Sequence, residues 1–305
     1  MKSDSHFDVI IIGGSFSGLS AAMALGRALR HVLIIDSGKP CNRQTPHSHN
    51  FITQDGKTPQ EISSVAKAQV MAYPTVKFFN GLAINGLKTD SGYKIETDDN
   101  RTFHAQKLIF ASGVKDNMPD IKGFSDCWGI SVIHCPYCHG YEVRKEKTGI
   151  LANGDFAFHY AQLINHWTKD LTIFTNGKST LTEAQTKQIN SHNIKIIETE
   201  INSINHNNGY IDSLMFKDKS TVKLKALYAR PNFEQHCKIP ETLGCEITEQ
   251  GFIKVDMMQK TTQKSIYACG DNASPMRSVA YAVAAGNVAG AVLNNEIIEA
   301  EFTAK

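Results

Sequence analysis

The hexapeptide at positions 134–139, His-Cys-Pro-Tyr-Cys-His, combines residue types that support three different chemistries. Two cysteines separated by two residues can form a redox-active disulfide, and with the flanking histidines they could ligate a metal ion. Cys-x-x-Cys-His is also the attachment signature of a c-type haem. A cysteine at a helix N-terminus has a lowered thiol pKa, and Pro136 is typical of the first helical turn. The motif alone leaves all three interpretations open.

The composition of the chain limits its location and its partners. Its 305 residues are 41% hydrophobic and 20% charged, as in globular proteins, and this length favours two domains. The net charge of +2 gives no indication of a nucleic-acid partner. The N-terminus is polar, and the apolar run Val9–Ile12 is too short for a signal sequence or a membrane span. We therefore expect a cytoplasmic protein with no nucleic-acid or membrane partner.

This location favours the redox interpretation of the motif. In the reducing cytoplasm the seven cysteines are not expected to form a structural disulfide framework, and c-type haem is normally attached elsewhere. A closed zinc site usually needs a second ligand pair at similar spacing. The other cysteines are single: Cys41, Cys127, Cys237, Cys245 and Cys269. We predict a redox pair of Cys135 and Cys138 and no metal, with a zinc site as the alternative.

The N-terminal region matches a dinucleotide-binding fingerprint in its required context of strand, turn, helix and strand. The predicted strand Phe7–Ile12 is followed by a glycine-rich turn, a helix at Leu19–Leu29 and a second strand at Val32–Ile35. The turn consists of Gly13, Gly14, Ser15, Phe16, Ser17 and Gly18, and the second strand is followed by Asp36 and Ser37.

Each part of this fingerprint has a physical role. Gly13 allows a tight turn, Gly18 allows the helix to pack closely on the strand, and Asp36 can accept hydrogen bonds from a ribose hydroxyl. A pyrophosphate would lie at the helix N-terminus, where backbone N–H groups and the helix dipole favour an anion. Ser15 is the one departure, because it replaces the middle glycine. The pattern predicts nucleotide binding.

Two later segments end in similar polar or glycine-containing turns. The predicted strand Lys107–Val114 contains Ala111, Ser112 and Gly113, and the predicted strand Ser265–Cys269 precedes Gly270 and Asp271. A predicted helix, Ser278–Leu293, follows and is rich in small residues. Small side chains allow close approach to a ligand, but a tightly packed core helix has the same composition.

Taken in order, these motifs resemble the low-molecular-weight thioredoxin reductase family, over nearly the whole chain. The resemblance rests on the 13–18 turn with Asp36, on Ala111-Ser112-Gly113, on Cys-Pro-Tyr-Cys and on Ala268-Cys269-Gly270-Asp271. It implies an α/β fold of two doubly wound, Rossmann-like, three-layer domains, with the second inserted into the first. Residues 1–117 and 238–305 would form a discontinuous FAD-binding domain. Residues 118–237 would form a nicotinamide-type domain that carries the redox pair.

The resemblance also implies an FAD cofactor and roles for individual residues. Cys138 would exchange electrons with the flavin and Cys135 with the substrate, which would be a small-molecule dithiol or disulfide or a thioredoxin-like protein. A homodimer is implied as well. The residues implied to bind FAD are Gly13, Gly14, Ser15, Phe16, Ser17, Gly18, Asp36, Ser37, Ala111, Ser112, Gly113, Gly270, Asp271, Arg277, Ser278 and Val279.

The inserted domain departs from the family pattern where a nicotinamide nucleotide would bind. After the predicted strand Thr148–Leu151, bulky Asn153 and Phe156 stand where the family has small residues. The strand Leu171–Phe174 is followed by Thr-Asn-Gly-Lys, with neither an arginine for NADP nor a carboxylate for NAD. A charge-assisted hydrogen bond contributes roughly 1.5–3 kcal/mol. We therefore expect NADPH or NADH binding to be weak or absent.

The residue after the second cysteine is another departure. Thioredoxin reductases typically have an aspartate there, whereas this chain has His139, with His134 on the other flank of the motif. A histidine titrates near neutrality and could stabilise a thiolate or transfer a proton, or it could only pack or cap. The segment His134–Glu142 resembles the branch that contains the dithiol oxidases of the gliotoxin and holomycin pathways. Those enzymes pass electrons from substrate dithiols through FAD to oxygen.

The polar loop that follows Asp36 is a further candidate site. By resemblance it would lie near the flavin, where it could line the substrate or oxygen side, or it could be a solvated loop. Its candidate residues are Asn42, His47, His49 and Asn50. Arg277 has two interpretations, contact with the flavin or capping of the last helix.

These observations predict an FAD-dependent thiol–disulfide oxidoreductase. Electrons would pass between a dithiol or disulfide and FAD through Cys135 and Cys138, with oxygen as a candidate acceptor. One alternative is an NADPH-dependent thioredoxin reductase with an atypical nucleotide site. A second, of another class, is a non-catalytic, zinc-stabilised flavin-binding protein.

Overall fold

The structure is a computed structural model that describes residues 5–304. The strands are β1 (His6–Ile12), β2 (Val32–Asp36), β3 (Val76–Asn80), β4 (Ala83–Thr89), β5 (Gly92–Thr97), β6 (Thr102–Phe110), β7 (Val114–Asn117), β8 (Val132–Ile133), β9 (Thr148–Leu151), β10 (Leu171–Phe174), β11 (Lys195–Ile197), β12 (Ile201–Asn207), β13 (Tyr210–Phe216), β14 (Thr221–Lys223), β15 (Ala226–Ala229), β16 (Asn232–Gln235) and β17 (Ile266–Ala268). The helices are α1 (Phe16–Arg27), α2 (Pro59–Met71), α3 (Phe124–Cys127), α4 (Pro136–His139), α5 (Gly154–Ile164), α6 (Glu183–Ser191), α7 (Ile239–Thr242) and α8 (Val279–Thr303).

The chain divides into two compact units. Unit 1 contains the chain up to Arg43, Phe51–Lys115 and the chain from Phe233 onward, and unit 2 contains Gln44–Asn50 and Asp116–Asn232. The chain therefore crosses between the units a few residues before the boundaries expected from the sequence. The sequence-based division also assigns Gln44–Asn50 to the first domain, whereas this segment groups with unit 2.

The sheet of unit 1 is parallel at its centre and antiparallel at one end. Its parallel strands lie in the order β3-β2-β1-β6-β17, and β6, β5 and β4 form an antiparallel meander. β6 pairs with two neighbours on one side, because its first residues pair with β5 and its last residues with β17. The winding direction reverses between β1 and β6. This is the switch point at which doubly wound folds bind ligands, beyond the carboxyl ends of the strands.

Strand β1 is buried on both faces, as its continuous apolar sequence predicts. Val9 and Ile11 point to a core shared with α1 and α8, whereas Ile10 and Ile12 point to a core shared with β4, β5 and α7. This alternation follows from the two-residue period of a strand. Unit 1 therefore has helices on one face of its sheet and the meander with α7 on the other.

The small residues of α8 serve helix packing. A Cβ atom on Gly286 would overlap the backbone carbonyl of Ser17, and one on Gly290 would lie 2.7 Å from the carbonyl oxygen of Ala21. Ser20 also donates a hydrogen bond of 2.6 Å to the carbonyl of Val283. Because α1 and α8 touch through their backbones, bulky side chains cannot fit between them.

Unit 2 repeats the same architecture on a smaller scale. Its parallel strands lie in the order β11-β10-β9-β15-β8, with the winding reversal between β9 and β15. One face packs on α5 and α6, and the other packs on the antiparallel sheet of β12, β13 and β14. Strands β7 and β16 form a separate two-stranded sheet. The predicted α/β class of two doubly wound, three-layer domains is confirmed.

The predicted elements differ from the observed ones mainly at their ends. The first helix, for which the sequence predicts Leu19–Leu29, spans Phe16–Arg27, because it begins directly at the glycine-rich turn. The predicted strand Lys107–Val114 is interrupted at residues 111–113, between β6 and β7. The last helix continues to Thr303. No helix within residues 5–304 is both long enough and apolar enough to span a membrane.

Candidate functional site

The two cysteines of the motif lie just beyond the carboxyl end of β8 and form a disulfide, with their Cα atoms 5.2 Å apart. Helix α4 begins at Pro136, and Cys135 is its N-cap residue. The Cys135 sulfur accepts a hydrogen bond of 3.1 Å from the backbone N–H of Cys138. A sulfur in this position is stabilised as a thiolate when the disulfide opens. The local sequence therefore provides both the disulfide and an activated first cysteine.

His139 closes the one-turn helix, and its backbone N–H binds the carbonyl of Cys135. Burial, followed by the nearby imidazole of His49, lowers the pKa of His139 to about 4. The ring is therefore neutral near pH 7 in the disulfide state. His49 in turn lies within ion-pair distance of Glu142, with Nε2 and Oε1 3.6 Å apart. The structure thus brings His49, predicted in a separate loop, together with the redox motif in unit 2.

His134 has a more structural environment. Its ring stacks on the indole of Trp128 with centroids 5.8 Å apart. Its backbone carbonyl accepts a hydrogen bond of 2.6 Å from the Tyr160 hydroxyl. These contacts fix the segment that leads from β8 into Cys135, so His134 and Tyr160 position the motif.

The remaining cysteines have the properties of core thiols, except for exposed Cys41. Burial raises the pKa of Cys127 and Cys237 to about 11 and that of Cys269 to about 12, and it also raises the pKa of Cys245. Such thiols are poor nucleophiles at neutral pH. In the described part of the chain, no group of three or more Cys, His, Asp or Glu residues could hold a metal ion.

The glycine-rich turn of unit 1 is shaped for close backbone packing. Gly13 has a φ of +109°, and a Cβ there would overlap the carbonyl of Ala111. A Cβ on Gly18 would overlap the carbonyl of Gly13. Ser15 is the N-cap of α1, and among the described residues its side chain makes no capping bond to the helix. The first N–H groups of α1 are therefore available to an anion.

The residues around this turn lie at the carboxyl edge of the sheet. Asp36 accepts a hydrogen bond of 2.9 Å from the N–H of Gly14 and another of 3.1 Å from Gly38. Asn272 donates to the carbonyl of Phe110 and is 3.5 Å from the Ser112 hydroxyl. Its side-chain oxygen is fully buried, and nothing within residues 5–304 hydrogen-bonds to it. An open helix N-terminus, a carboxylate and an unsatisfied buried acceptor at one sheet edge fit a bound dinucleotide such as FAD.

Arg277 pairs with a carboxylate in the structure. Its Nε lies 3.4 Å from a carboxylate oxygen of Asp271. The N-cap of α8 is Ser278, whose hydroxyl accepts the N–H of Tyr281 at 3.2 Å. Arg277 therefore orients Asp271 and does not cap the helix, and Val279 begins that helix.

The corresponding turn of unit 2 is filled by its own side chain. The Asn153 carbonyl oxygen accepts the N–H of Gly154 at 2.9 Å and the N–H of Thr180 at 2.8 Å. The Asn153 amide donates to the carbonyl of Lys178 at 2.9 Å. The first N–H group of α5 is therefore already bonded, and the loop after β10 is tied across the turn.

Charged side chains of both signs lie beside this turn, and the carboxylate among them is unfavourable for a 2′-phosphate. Glu198 accepts the backbone N–H of Ser179 at 2.9 Å and places a carboxylate beside the loop after β10. The guanidinium of Arg230 lies over the ring of Phe156 at 5.5 Å. The start of α5, where Asn153 already bonds the first N–H group, does not fit an NADP site, which needs an open helix N-terminus.

Comparison with known proteins identifies the family. The sequence pattern of the pyridine nucleotide-disulphide oxidoreductase family matches residues 7–286. The chain belongs to this family. The chain is 31% identical to thioredoxin reductase sirT of Leptosphaeria maculans, over 99% of this chain and 97% of the relative. The structure of an oxidoreductase from Agrobacterium tumefaciens is 38% identical with a TM-score of 0.90, over 96% of this chain and 99% of that one. The structure of HlmI is 26% identical with a TM-score of 0.93, over 100% and 96%.

Membership of the pyridine nucleotide-disulphide oxidoreductase family confirms several predictions made from the sequence. The chain is an enzyme, an FAD-dependent disulfide oxidoreductase of the thioredoxin reductase-like type. The predicted resemblance and the FAD cofactor are confirmed as well.

Sequence reasoning missed two parts of the site. One is Glu142, which lies at the end of the motif segment and pairs with His49. The other is the bond between Asn153 and Thr180, which the size of Asn153 alone does not indicate. An asparagine directly before a helix is a common N-cap, and that signal could have indicated the filled turn.

Proposed function

We propose that electrons pass between a substrate dithiol and FAD through the Cys135–Cys138 pair. The observation that carries this proposal is the disulfide at the start of α4, with the Cys135 sulfur bonded to the N–H of Cys138. This contact stabilises a Cys135 thiolate, which is needed both to leave and to attack in thiol–disulfide exchange. The ring of His139, which follows Cys138 directly in the chain, becomes a proton acceptor when the Cys138 thiolate forms, because a nearby anion favours the protonated imidazole.

Oxidation of a dithiol then balances as two exchange steps. A substrate thiolate attacks the Cys135 sulfur, the bond to Cys138 breaks, and Cys138 leaves as a thiolate. The second substrate thiolate attacks the substrate sulfur of the mixed disulfide, which closes the substrate disulfide and releases Cys135. The substrate loses two electrons and two protons, and the cysteine pair gains the electrons. Bound FAD supplies the acceptor for this electron pair, and the Cys135–Cys138 disulfide is restored.

The FAD site belongs in unit 1 in this proposal. The turn at residues 13–18 would hold the pyrophosphate, and Asp36 would bind a ribose hydroxyl. The 111–113 turn and residues 270–271, with Asp271 oriented by Arg277, would flank the rest of the cofactor. Unit 1 would thus be the FAD-binding domain, and unit 2 would be the nicotinamide-type domain that carries the redox pair.

Neither NADPH nor NADH serves as the efficient reductant in this proposal. The Asn153 side chain occupies the helix N-terminus, and Glu198 opposes a 2′-phosphate. The dithiol would therefore be the electron donor and oxygen the acceptor. The NADPH-dependent thioredoxin reductase remains the second candidate, supported by the names of the curated relatives.

Anaerobic reduction of the flavin separates these two candidates. The FAD-loaded protein is mixed with dithiothreitol, NADPH or NADH, and the oxidised flavin absorbance is followed. We expect fast bleaching by the dithiol and bleaching at least tenfold slower by either nucleotide. Readmission of oxygen should restore the absorbance. Fast bleaching by NADPH would instead support the thioredoxin reductase.

A substitution tests the route through the cysteine pair. Cys138→Ser should retain FAD but lose dithiol-dependent bleaching, by at least a hundredfold, because no disulfide can form. Cys245→Ser, a buried thiol in unit 1, is the matched control and should react normally. Retention of full activity by Cys138→Ser would rule out the proposed route.

We further propose a cytoplasmic homodimer. The family resemblance supports the dimer, and light scattering after gel filtration measures it. The four buried thiols Cys127, Cys237, Cys245 and Cys269 support a reducing compartment. The substrate in this proposal is a small dithiol or disulfide or a thioredoxin-like protein.

A further inference from the structure

The segment Gln44–Asn50 is part of the redox unit, although it lies far from the motif in sequence. A Cβ on Gly129 would lie 3.0 Å from both the Gln44 amide and the Thr45 hydroxyl, so this side of the segment is held close to unit 2. At its other end, His49 reaches Glu142, three residues beyond the motif. The segment therefore delivers an imidazole to the environment of His139.

Solvent exposure increases from the side chain of His49 to that of Glu142. The side chain of His49 is 21% exposed, and that of Glu142 is 41% exposed. His139 is partly buried, and its low pKa means that the ring is almost entirely unprotonated near pH 7 in the disulfide state. When the disulfide opens, the adjacent Cys138 thiolate favours a protonated His139. A proton taken up there must later be passed on before the next turnover.

We propose that His49 and Glu142 form a relay that transfers the substrate thiol proton from His139 to solvent. As the substrate sulfur bonds to Cys135 and the Cys138 thiolate forms, the substrate S–H proton moves to the His139 ring, whose protonated form that thiolate favours, and then passes to His49, whose orientation is held by Glu142. From there it moves to water. No electrons move in this step, and no further reactant is needed. His49 and Glu142 are positioning residues, because they act through His139. The inference rests on the proposed dithiol chemistry at Cys135 and Cys138.

The other titratable groups near His139 do not provide an equivalent path. On α4 and its N-cap these groups are Cys138 and Cys135. On the turn that follows α4 the group is Glu142. Tyr228 of β15 and Tyr160 of α5, whose ring centroids are 6.4 Å apart, are placed by their interactions with Glu142 and with the carbonyl of His134. Burial, with added repulsion from Tyr160 and Glu142, raises the pKa of Tyr228, so that hydroxyl stays protonated at neutral pH.

The test is the pH profile of anaerobic flavin bleaching by dithiothreitol in the FAD-loaded full chain. His49→Ala and Glu142→Gln should bleach about tenfold more slowly at pH 6–7, a part of the 10²–10⁴ that general base catalysis contributes. This deficit should disappear as the pH approaches the thiol pKa, about 8.5, because the dithiol then arrives already deprotonated. Added imidazole should restore the rate of His49→Ala at pH 6–7.

Matched controls are available within unit 2. His192→Asn removes an exposed histidine at the end of α6, and Glu200→Gln removes a carboxylate from an exposed ion pair with Lys217. Both should show the native rate, the native pH profile and no response to imidazole.

Two outcomes would overturn the relay. One is a native rate at pH 6–7 in His49→Ala and Glu142→Gln. The other is a deficit that is the same at every pH and does not respond to imidazole, since that result indicates a structural role only. If His49→Ala fails to fold, Glu142→Gln decides the question by its pH profile. Failure of the underlying dithiol chemistry is recognised separately, because the native protein and all variants would then fail to bleach.

Discussion

The two units contain the same turn between a first strand and a first helix, but only one of these turns is open. In unit 1 the N-cap Ser15 leaves the start of α1 without a side-chain bond among the described residues. In unit 2 the N-cap Asn153 binds Gly154 and Thr180 and so closes the start of α5. In both sheets the strand before this turn lies between the next parallel strand of the chain and a later one, so the winding reverses at the same place. Topology therefore provides the location of a nucleotide site, and the residue before the helix decides whether the site is available.

The substitution with the largest expected effect closes the open turn of unit 1 and so removes FAD. Gly18→Val places a side chain against the carbonyl of Gly13, so we expect FAD content to fall at least tenfold. The ratio of flavin to protein absorbance measures this. Trp128 and Trp167, the two tryptophans of the chain, both lie in unit 2 and report whether that unit stays folded.

The matched substitution in unit 2 should leave the cofactor in place. Gly154 has a φ of +58°, and a Cβ there would lie 2.9 Å from the Thr180 hydroxyl. Gly154→Ala should therefore destabilise unit 2 by about 1 kcal/mol without changing FAD content. Equal loss of FAD in the Gly18 and Gly154 variants would show that the two turns are not functionally different.

The second prediction concerns acid, which should destabilise unit 2 before unit 1. Burial, and then His49, lowers the pKa of His139 from 6.5 to about 4. The unfolded chain binds a proton as the pH falls through 6.5, whereas the folded protein does so only near 4. This contribution to stability is therefore complete above pH 6.5 and is lost on the way to pH 4, by about 3 kcal/mol.

Glu296 in unit 1 titrates in a more acidic range than His139. Burial alone would raise its pKa, but bonds with Lys107, Lys260 and Tyr267 outweigh this and lower the pKa to about 2. Its contribution to stability is present above pH 4.5 and is lost only as the pH falls toward 2.

The free energy of unfolding of unit 2, measured by urea unfolding with tryptophan fluorescence, should therefore fall as the pH falls from 6.5 to 4. His139→Gln should abolish that dependence, and persistence of the dependence would refute this assignment.

The third prediction concerns the closed turn itself. Asn153→Ala removes the N-cap and the links to Thr180 and Lys178, so unit 2 should lose about 1–2 kcal/mol of stability. Urea unfolding followed by tryptophan fluorescence measures this loss, while FAD content should stay native. An unchanged transition would mean that the asparagine bonds contribute nothing to closing the turn.

The smallest expected effect is a gain of nucleotide binding. Asn153→Gly opens the start of α5, and Asn176→Arg adds a cation after β10, so the double variant should bind NADPH weakly, with a Kd of about 1 mM. Calorimetry measures this affinity, and each single variant serves as the control. If the native protein binds as well as the double variant, the closed turn does not limit binding.

The local parts of the site could be predicted because their conformations depend on neighbouring residues. Gly13 and Gly18 indicated the tight turn, and Pro136 indicated the start of α4, as the structure shows. The segment Gln44–Asn50 could not be assigned to unit 2 in this way. Its partner Glu142 is distant in sequence, and no spacing rule connects them.

The sequence by itself determined the chemistry that this protein carries: a cysteine pair, a glycine-rich turn and an FAD-dependent family. Only the tertiary structure decided which histidine joins the redox pair and which of two similar turns is open. The physical reason is that a backbone N–H group at a helix start can be satisfied by a ligand or by a side chain. The tertiary structure places Thr180 beside Asn153, and that pairing closes the second turn.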